Sequence, residues 1–119
     1  MTSYNHASIT EATIYERPKQ SGPDLVGHWG IVVNVEGHGN YLIHNTPGSG
    51  TVATPASNMS SQWTSIVRIP VGNGKTIRGC MLASGGAHTN YVSSALARYI
   101  MGQTCVGTTA AIAEYLISL

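Results

Sequence analysis

The sequence predicts an α+β fold, in which a small antiparallel sheet of about four to six strands precedes two C-terminal helices. Two observations support this fold class. Short runs rich in β-branched and aromatic residues fill the first part of the chain, and glycine, proline and asparagine separate them. From residue 91 onward, the spacing of the apolar residues becomes helical.

Length and composition restrict the classes of protein to which the chain belongs. Its 119 residues predict one domain, with a polar, loosely held tail at residues 1–11. The net charge is +1 and no basic run occurs, so we expect no nucleic-acid partner. No apolar stretch reaches the ~20 residues of a transmembrane segment. Two cysteines and no signal peptide favour a reduced, intracellular, cytoplasmic protein.

Five apolar runs are predicted as strands. The first covers residues 12–16 and ends before Pro18, which lacks a backbone donor. The strongest covers residues 25–35, where the near-continuous apolar run predicts burial on both faces. Residues 41–45 return as the second strand of a hairpin, and shorter strands are predicted at 51–53 and within 62–71.

The last part of the chain predicts the helices. Asn73-Gly74 is a hairpin signal, so residues 75–82 are predicted as a returning strand or a loop. Apolar spacing predicts a helix over residues 91–101. A second helix is predicted to begin at Cys105 or Val106 and to end near residue 117.

Cys105 is the first candidate for chemistry, because it stands where the last helix is predicted to begin. The free N–H groups and the positive end of the helix dipole favour a thiolate, which is the reactive form of cysteine. The same N–H groups can receive an oxyanion during acyl transfer. The alternative is a buried structural cysteine that packs as a small apolar side chain.

His28 and His44 are the second candidates, since each lies in a predicted strand of the hairpin. They share a face of the sheet only if the hairpin loop has an odd number of residues. A loop at residues 36–38 places His44 opposite Gly30 and diagonal to His28, whereas a loop at 35–37 places the histidines directly opposite each other. A two-residue loop would separate them.

Two other interpretations of these residues remain open. Each histidine can be a core residue whose ring is satisfied by a backbone group. Zinc bound by His28, His44 and Cys105 is a rival, because a catalytic zinc site needs three protein ligands. No Cys-x-x-Cys or His-Glu-x-x-His spacing supports a metal, and we therefore expect neither a metal nor another cofactor.

Three stretches of the sequence resemble the lecithin:retinol acyltransferase-like family. They are Ile14-Tyr15-Glu16-Arg17-Pro18, His28-Trp29-Gly30-Ile31-Val32-Val33 and Tyr41-Leu42-Ile43-His44, and a predicted helix–turn–Cys105–helix follows them. The chain departs from the family at Thr104, where asparagine is usual. The resemblance implies a circularly permuted papain-like fold of the NlpC type.

The resemblance also implies a function. Cys105 would be the nucleophile, His28 its base and His44 the group that orients His28. The substrate would be an acyl ester or amide, possibly a lipid, and a thioacyl-enzyme would form without a cofactor. The family implies two alternatives: a non-catalytic, viral 2A-type protein that binds a host protein in the host cytoplasm, and a bacterial peptidoglycan or peptide amidase.

Overall fold

The computed structural model describes residues 3–17, 28–46, 50–84 and 105–119. It confirms an α+β fold with one five-stranded antiparallel sheet of order β4-β3-β2-β1-β5. The elements are β1 (Ile9–Arg17), β2 (His28–Val35), β3 (Gly39–Thr46), β4 (Gly50–Pro55), a 3₁₀ turn (Ala56–Asn58), β5 (Thr64–Ile69), α1 (Ile77–Ala83) and α2 (Cys105–Ile117). The helix predicted over residues 91–101 lies outside the described residues. In the described ranges, neither helix is both long and apolar enough to cross a membrane.

A three-residue turn joins β2 to β3. Val35 pairs with Gly39 and Ile31 pairs with Ile43, so residues 36–38 form the loop. Gly37 and Gly39 have φ values of 79° and 85°, a backbone region that favours glycine. The loop is therefore odd-numbered, which was the condition for His28 and His44 to share a face.

The two faces of the sheet differ in what they contact. On the face called the core face here, alternate side chains of β2 and β3 pack against Ile112 and Leu116 of α2; these strand residues are Ile31, Val33, Val35 and Ile43. The residues between them point to the other side, called the second face. On the second face, Val32 and Asn34 are only half-buried. The prediction that this strand is buried on both faces is thus wrong for the second face.

The predicted tail at residues 1–11 is also wrong over its described part. Residues 9–11 belong to β1, and Ala7 and Ile9 are buried in the core. The ring of Tyr4 stacks on Tyr41 with ring centroids 4.9 Å apart. This polar segment has too few apolar side chains to show a hydrophobic periodicity in the sequence. Those few side chains nevertheless pack the segment against the core.

The prediction of a strand or a loop over residues 75–82 is wrong from Ile77 onward, because α1 begins there. Gly74 does adopt the turn conformation, with φ 73°, but the chain then enters a helix. The hydroxyl oxygen of Thr76 accepts a hydrogen bond from the Gly79 N–H at 3.0 Å and caps that helix. Ile77, Cys80 and Met81 are buried at helical spacing over a single turn, which is too short for the period to stand out from the sequence.

Gly79 provides a test of how α1 packs on α2. A Cβ at this position would overlap the hydroxyl and ring of Tyr115. We expect Gly79→Ala to lower the free energy of unfolding by about 1–3 kcal/mol through overpacking, although alanine favours a helix over glycine by ~1 kcal/mol. Urea unfolding measures the difference. Leu82→Ala, at an exposed position of the same helix, is the control and should change stability little. A more stable Gly79→Ala protein would contradict this packing.

Candidate functional site

His28 and His44 form a hydrogen-bonded pair on the second face. His28 Nε2 lies 2.6 Å from His44 Nδ1. The two rings meet edge to face, with an interplanar angle of 78° and centroids 4.9 Å apart. Of the two odd loops predicted, the structure has the one at residues 36–38, which sets His44 diagonal to His28. The predicted shared face is confirmed.

Gly30 leaves the space that His44 occupies. Continuing the β2–β3 register by one pair sets Gly30 across from His44. A Cβ on Gly30 would lie 3.1 Å from the His44 Cβ and 2.8 Å from Leu42 Cδ1. The glycine in the His-Trp-Gly stretch therefore has a local reason, since a larger residue would push the His44 side chain away from its partner.

Arg17 and Trp63 complete a four-residue cluster that sequence reasoning did not identify. Arg17 pairs directly with His28 across β1 and β2. Trp63 precedes β5, and its ring centroid lies 5.4 Å from that of His28 and 5.9 Å from that of His44. The Arg17 guanidinium carbon lies 5.3 Å from the centre of the Trp63 ring. The pairing of β1 with β5 brings these residues together, and no short-range pattern indicates that pairing.

Both histidines are neutral at pH 7. Burial first, then the repulsion from a protonated His28 ring, and then the positive charge on Arg17 lower the pKa of His44 from 6.5 to about 4. Burial first and Arg17 second also lower the pKa of His28. In a neutral pair one ring donates and the other accepts. If His28 donates from Nε2, its Nδ1 keeps a lone pair and can accept a proton.

Cys105 is the first residue of α2, as the sequence predicted. Its side chain lies outside the described part of the structure, so the structure does not test the predicted contact with His28. α2 packs on the core face, whereas both imidazoles project from the second face. A thiol on the first turn of α2 can therefore meet His28 only around the end of the sheet where β2 begins.

The other cysteine is structural. Cys80 is fully buried in the core beside α2, and burial raises the pKa of its thiol to about 12. A thiol with so high a pKa is not a nucleophile at neutral pH.

The structure does not test the rival zinc site at His28, His44 and Cys105, which stays a prediction. Within the described ranges, no group of three histidine, cysteine or acidic side chains lies close enough to hold a metal ion. Nε2 of His28 and Nδ1 of His44 face each other, so they do not converge on a common point as two ligands would. The third proposed ligand, Cys105, has its side chain outside the described residues.

Comparison with known proteins finds a viral relative. No family model matches the chain, and no solved structure matches it significantly. The uncharacterized protein R800 of Acanthamoeba polyphaga mimivirus is 34% identical over 107 residues, which cover 85% of this chain and 86% of that protein. Identity at this level, across most of both chains, establishes common descent, and the chain belongs to the same family as this mimivirus protein.

Proposed function

We propose that the chain is a cysteine-dependent acyl hydrolase or acyltransferase that acts on an ester or amide, with Cys105 as nucleophile and His28 as base. The observation that carries the proposal is the hydrogen bond of 2.6 Å between His28 Nε2 and His44 Nδ1. It orients a neutral imidazole and leaves Nδ1 of His28 available. In the part of the chain that the structure describes, no hydrogen bond occupies that nitrogen.

The chemistry follows the general scheme of nucleophile, base and orienting group. Nδ1 of His28 takes the proton of the Cys105 thiol, and the thiolate attacks the carbonyl carbon. The backbone N–H groups at the start of α2 stabilise the oxyanion. The carbon–oxygen or carbon–nitrogen bond then breaks, and the leaving group takes the proton from His28. Water, or an acceptor alcohol or amine, gives a proton to His28 and attacks the thioester. The carbon–sulfur bond then breaks, and the Cys105 thiolate takes the proton back from His28.

His44 supports this scheme because its ring stays neutral. With a pKa of about 4, His44 is neutral at neutral pH. In the tautomer with its proton on Nε2, it accepts the hydrogen bond from His28 at Nδ1. That bond holds His28 in the tautomer with Nδ1 free, and it also stabilises the imidazolium that forms when His28 accepts a proton. The proposal thus gives His44 the orienting role that the family resemblance implied.

The direction of α2 supports the role of Cys105. The Gly72 N–H donates to the Leu116 carbonyl, which ties the last turn of α2 to the segment after β5. That segment follows the end of β5 remote from Trp63, and α2 contacts β2 and β3. The first turn of α2 is therefore directed toward the end of the sheet where His28 opens β2.

A second candidate is a binding protein that keeps the residues without turnover. The observation that favours it is the position of the histidines on the face opposite α2. If the thiol does not pass around the end of the sheet, His28 has no nucleophile to activate. A non-catalytic, host-binding role, as in the viral proteins that share the His box, would then apply.

Cysteine alkylation separates the two candidates. We expect iodoacetamide to modify Cys105 at pH 6.5 at least about tenfold faster than a free thiol with a pKa of ~8.5. Peptide mass spectrometry follows each cysteine separately, and the buried Cys80 is an internal control that should stay unmodified in the folded protein. His28→Ala should return Cys105 to the rate of a free thiol. An equally slow Cys105 with and without His28 would favour the binding protein.

A further inference from the structure

We propose that Arg17, held against the Trp63 ring beside His28, binds an anionic group of the substrate, so that the acyl compound carries a carboxylate or phosphate near its scissile carbonyl. This inference rests on the proposed function, and it assigns a substrate class to the same site. Two features carry it: a half-buried cation without a counter-ion, and its position next to the proposed base.

Among the described residues, the Arg17 guanidinium has no charged partner. In the described parts of the chain, the one ion pair joins Arg68 to Glu11, and Arg17 belongs to none. Its Nε atom is fully buried without a hydrogen-bond partner. Removing a charge from water without pairing it is costly, and a planar guanidinium matches carboxylate and phosphate groups in shape and charge. An anion from outside the chain would supply the missing partner.

The neighbours of Arg17 orient it without satisfying it. The Arg17 guanidinium carbon lies over the Trp63 ring, 5.3 Å from the ring centre. This contact restricts the orientation of the guanidinium. His28 and His44 carry no negative charge and are neutral at pH 7. Across from His44, β4 presents the uncharged Val52. Among the described residues that face it, the cluster therefore has one positive charge and no negative one.

The position of Arg17 makes anion binding useful for catalysis. Its charge lowers the pKa of His28, which weakens His28 as a base in the empty site. A bound anion would offset that charge and raise the pKa of His28. The base would therefore strengthen when a substrate with the right group is bound, and a neutral ester would not gain this effect.

A pair of matched substrates tests the proposal. One is the para-nitrophenyl monoester of glutaric acid, and the other is the same compound with its free carboxylate methylated. We expect Arg17→Gln to lower the ratio of the two kcat/KM values, charged over neutral, at least about tenfold, as for a lost charge-assisted hydrogen bond. Arg68→Gln removes an equal charge from the exposed ion pair and should leave the ratio unchanged. If Arg17→Gln and Arg68→Gln lowered this ratio equally, the proposal that Arg17 binds the anionic group would be wrong.

Binding without turnover separates this inference from the proposed function. The test uses Cys105→Ala protein, which is titrated with glutarate and, separately, with inorganic phosphate. Proton NMR follows the chemical shifts of the Trp63 indole N–H and of the His28 ring protons. We expect saturable binding of at least one anion and a higher His28 pKa in its presence, both abolished by Arg17→Gln. The tighter ligand identifies the group as carboxylate or phosphate. Absence of binding by both anions would overturn the inference, whereas binding by a protein without esterase activity would refute only the proposed function.

Discussion

Replacing His28 with alanine is expected to reduce kcat/KM for acyl transfer by about 10²–10⁴-fold, the usual contribution of a general base. The thiol of Cys105 then has no acceptor for its proton, although the substrate still binds. His44→Gln is expected to cost only about tenfold, because the amide oxygen can accept the hydrogen bond from His28 Nε2. His44→Leu cannot accept it, so its activity should fall toward that of His28→Ala. Cys105→Ala should abolish turnover.

The order of these variants, rather than any single loss, tests the roles. His6→Ala is the matched control, since His6 is exposed and belongs to the segment before β1. Circular dichroism and urea unfolding show whether each variant is folded. A protein that loses more activity with His44→Gln than with His28→Ala would have the two roles reversed. Turnover retained by Cys105→Ala would remove the thiol mechanism altogether.

The hairpin was the part of the site most accessible to sequence reasoning. Alternation along two strands restricts His28 and His44 to one face or opposite faces, so only the parity of the loop was open. The glycines at 37 and 39 permitted two odd loops, and the structure has the one at residues 36–38. Local periodicity and turn chemistry thus reduced the prediction to two odd loops and a two-residue loop, and only the structure distinguishes among them.

The other half of the cluster depends on contacts that no local pattern encodes. Arg17 is the last residue of β1 and Trp63 directly precedes β5, and no local pattern connects either residue with the histidines. Both join the histidines because β1 pairs with β2 on one edge and with β5 on the other. The strand order depends on packing across the whole sheet, so a short stretch of sequence does not reveal it. In the same way, α1 was missed because tertiary burial of one short turn outweighed the Asn73-Gly74 hairpin signal.

The neutral state of His44 gives the second large prediction, a loss of stability in acid. In the unfolded chain His44 takes up a proton near pH 6.5, whereas in the folded protein its pKa is about 4. Between these values the unfolded state binds more protons, so the free energy of unfolding falls as the pH falls. At 1.36 kcal/mol per pKa unit, His44 contributes at most about 3 kcal/mol, fully present above pH 6.5 and lost near pH 4.

Urea unfolding of wild-type and His44→Gln protein between pH 7.5 and 4 isolates this contribution. Glutamine does not titrate, so the variant should lose about 2–3 kcal/mol less than the wild type on acidification, if the other titrating groups respond alike in both. His6→Ala should follow the wild-type curve, because His6 is exposed. Parallel curves for wild type and His44→Gln would mean that His44 is solvated and free to charge. Such a ring would not stay an acceptor for His28, and the orienting role of His44 would fail with it.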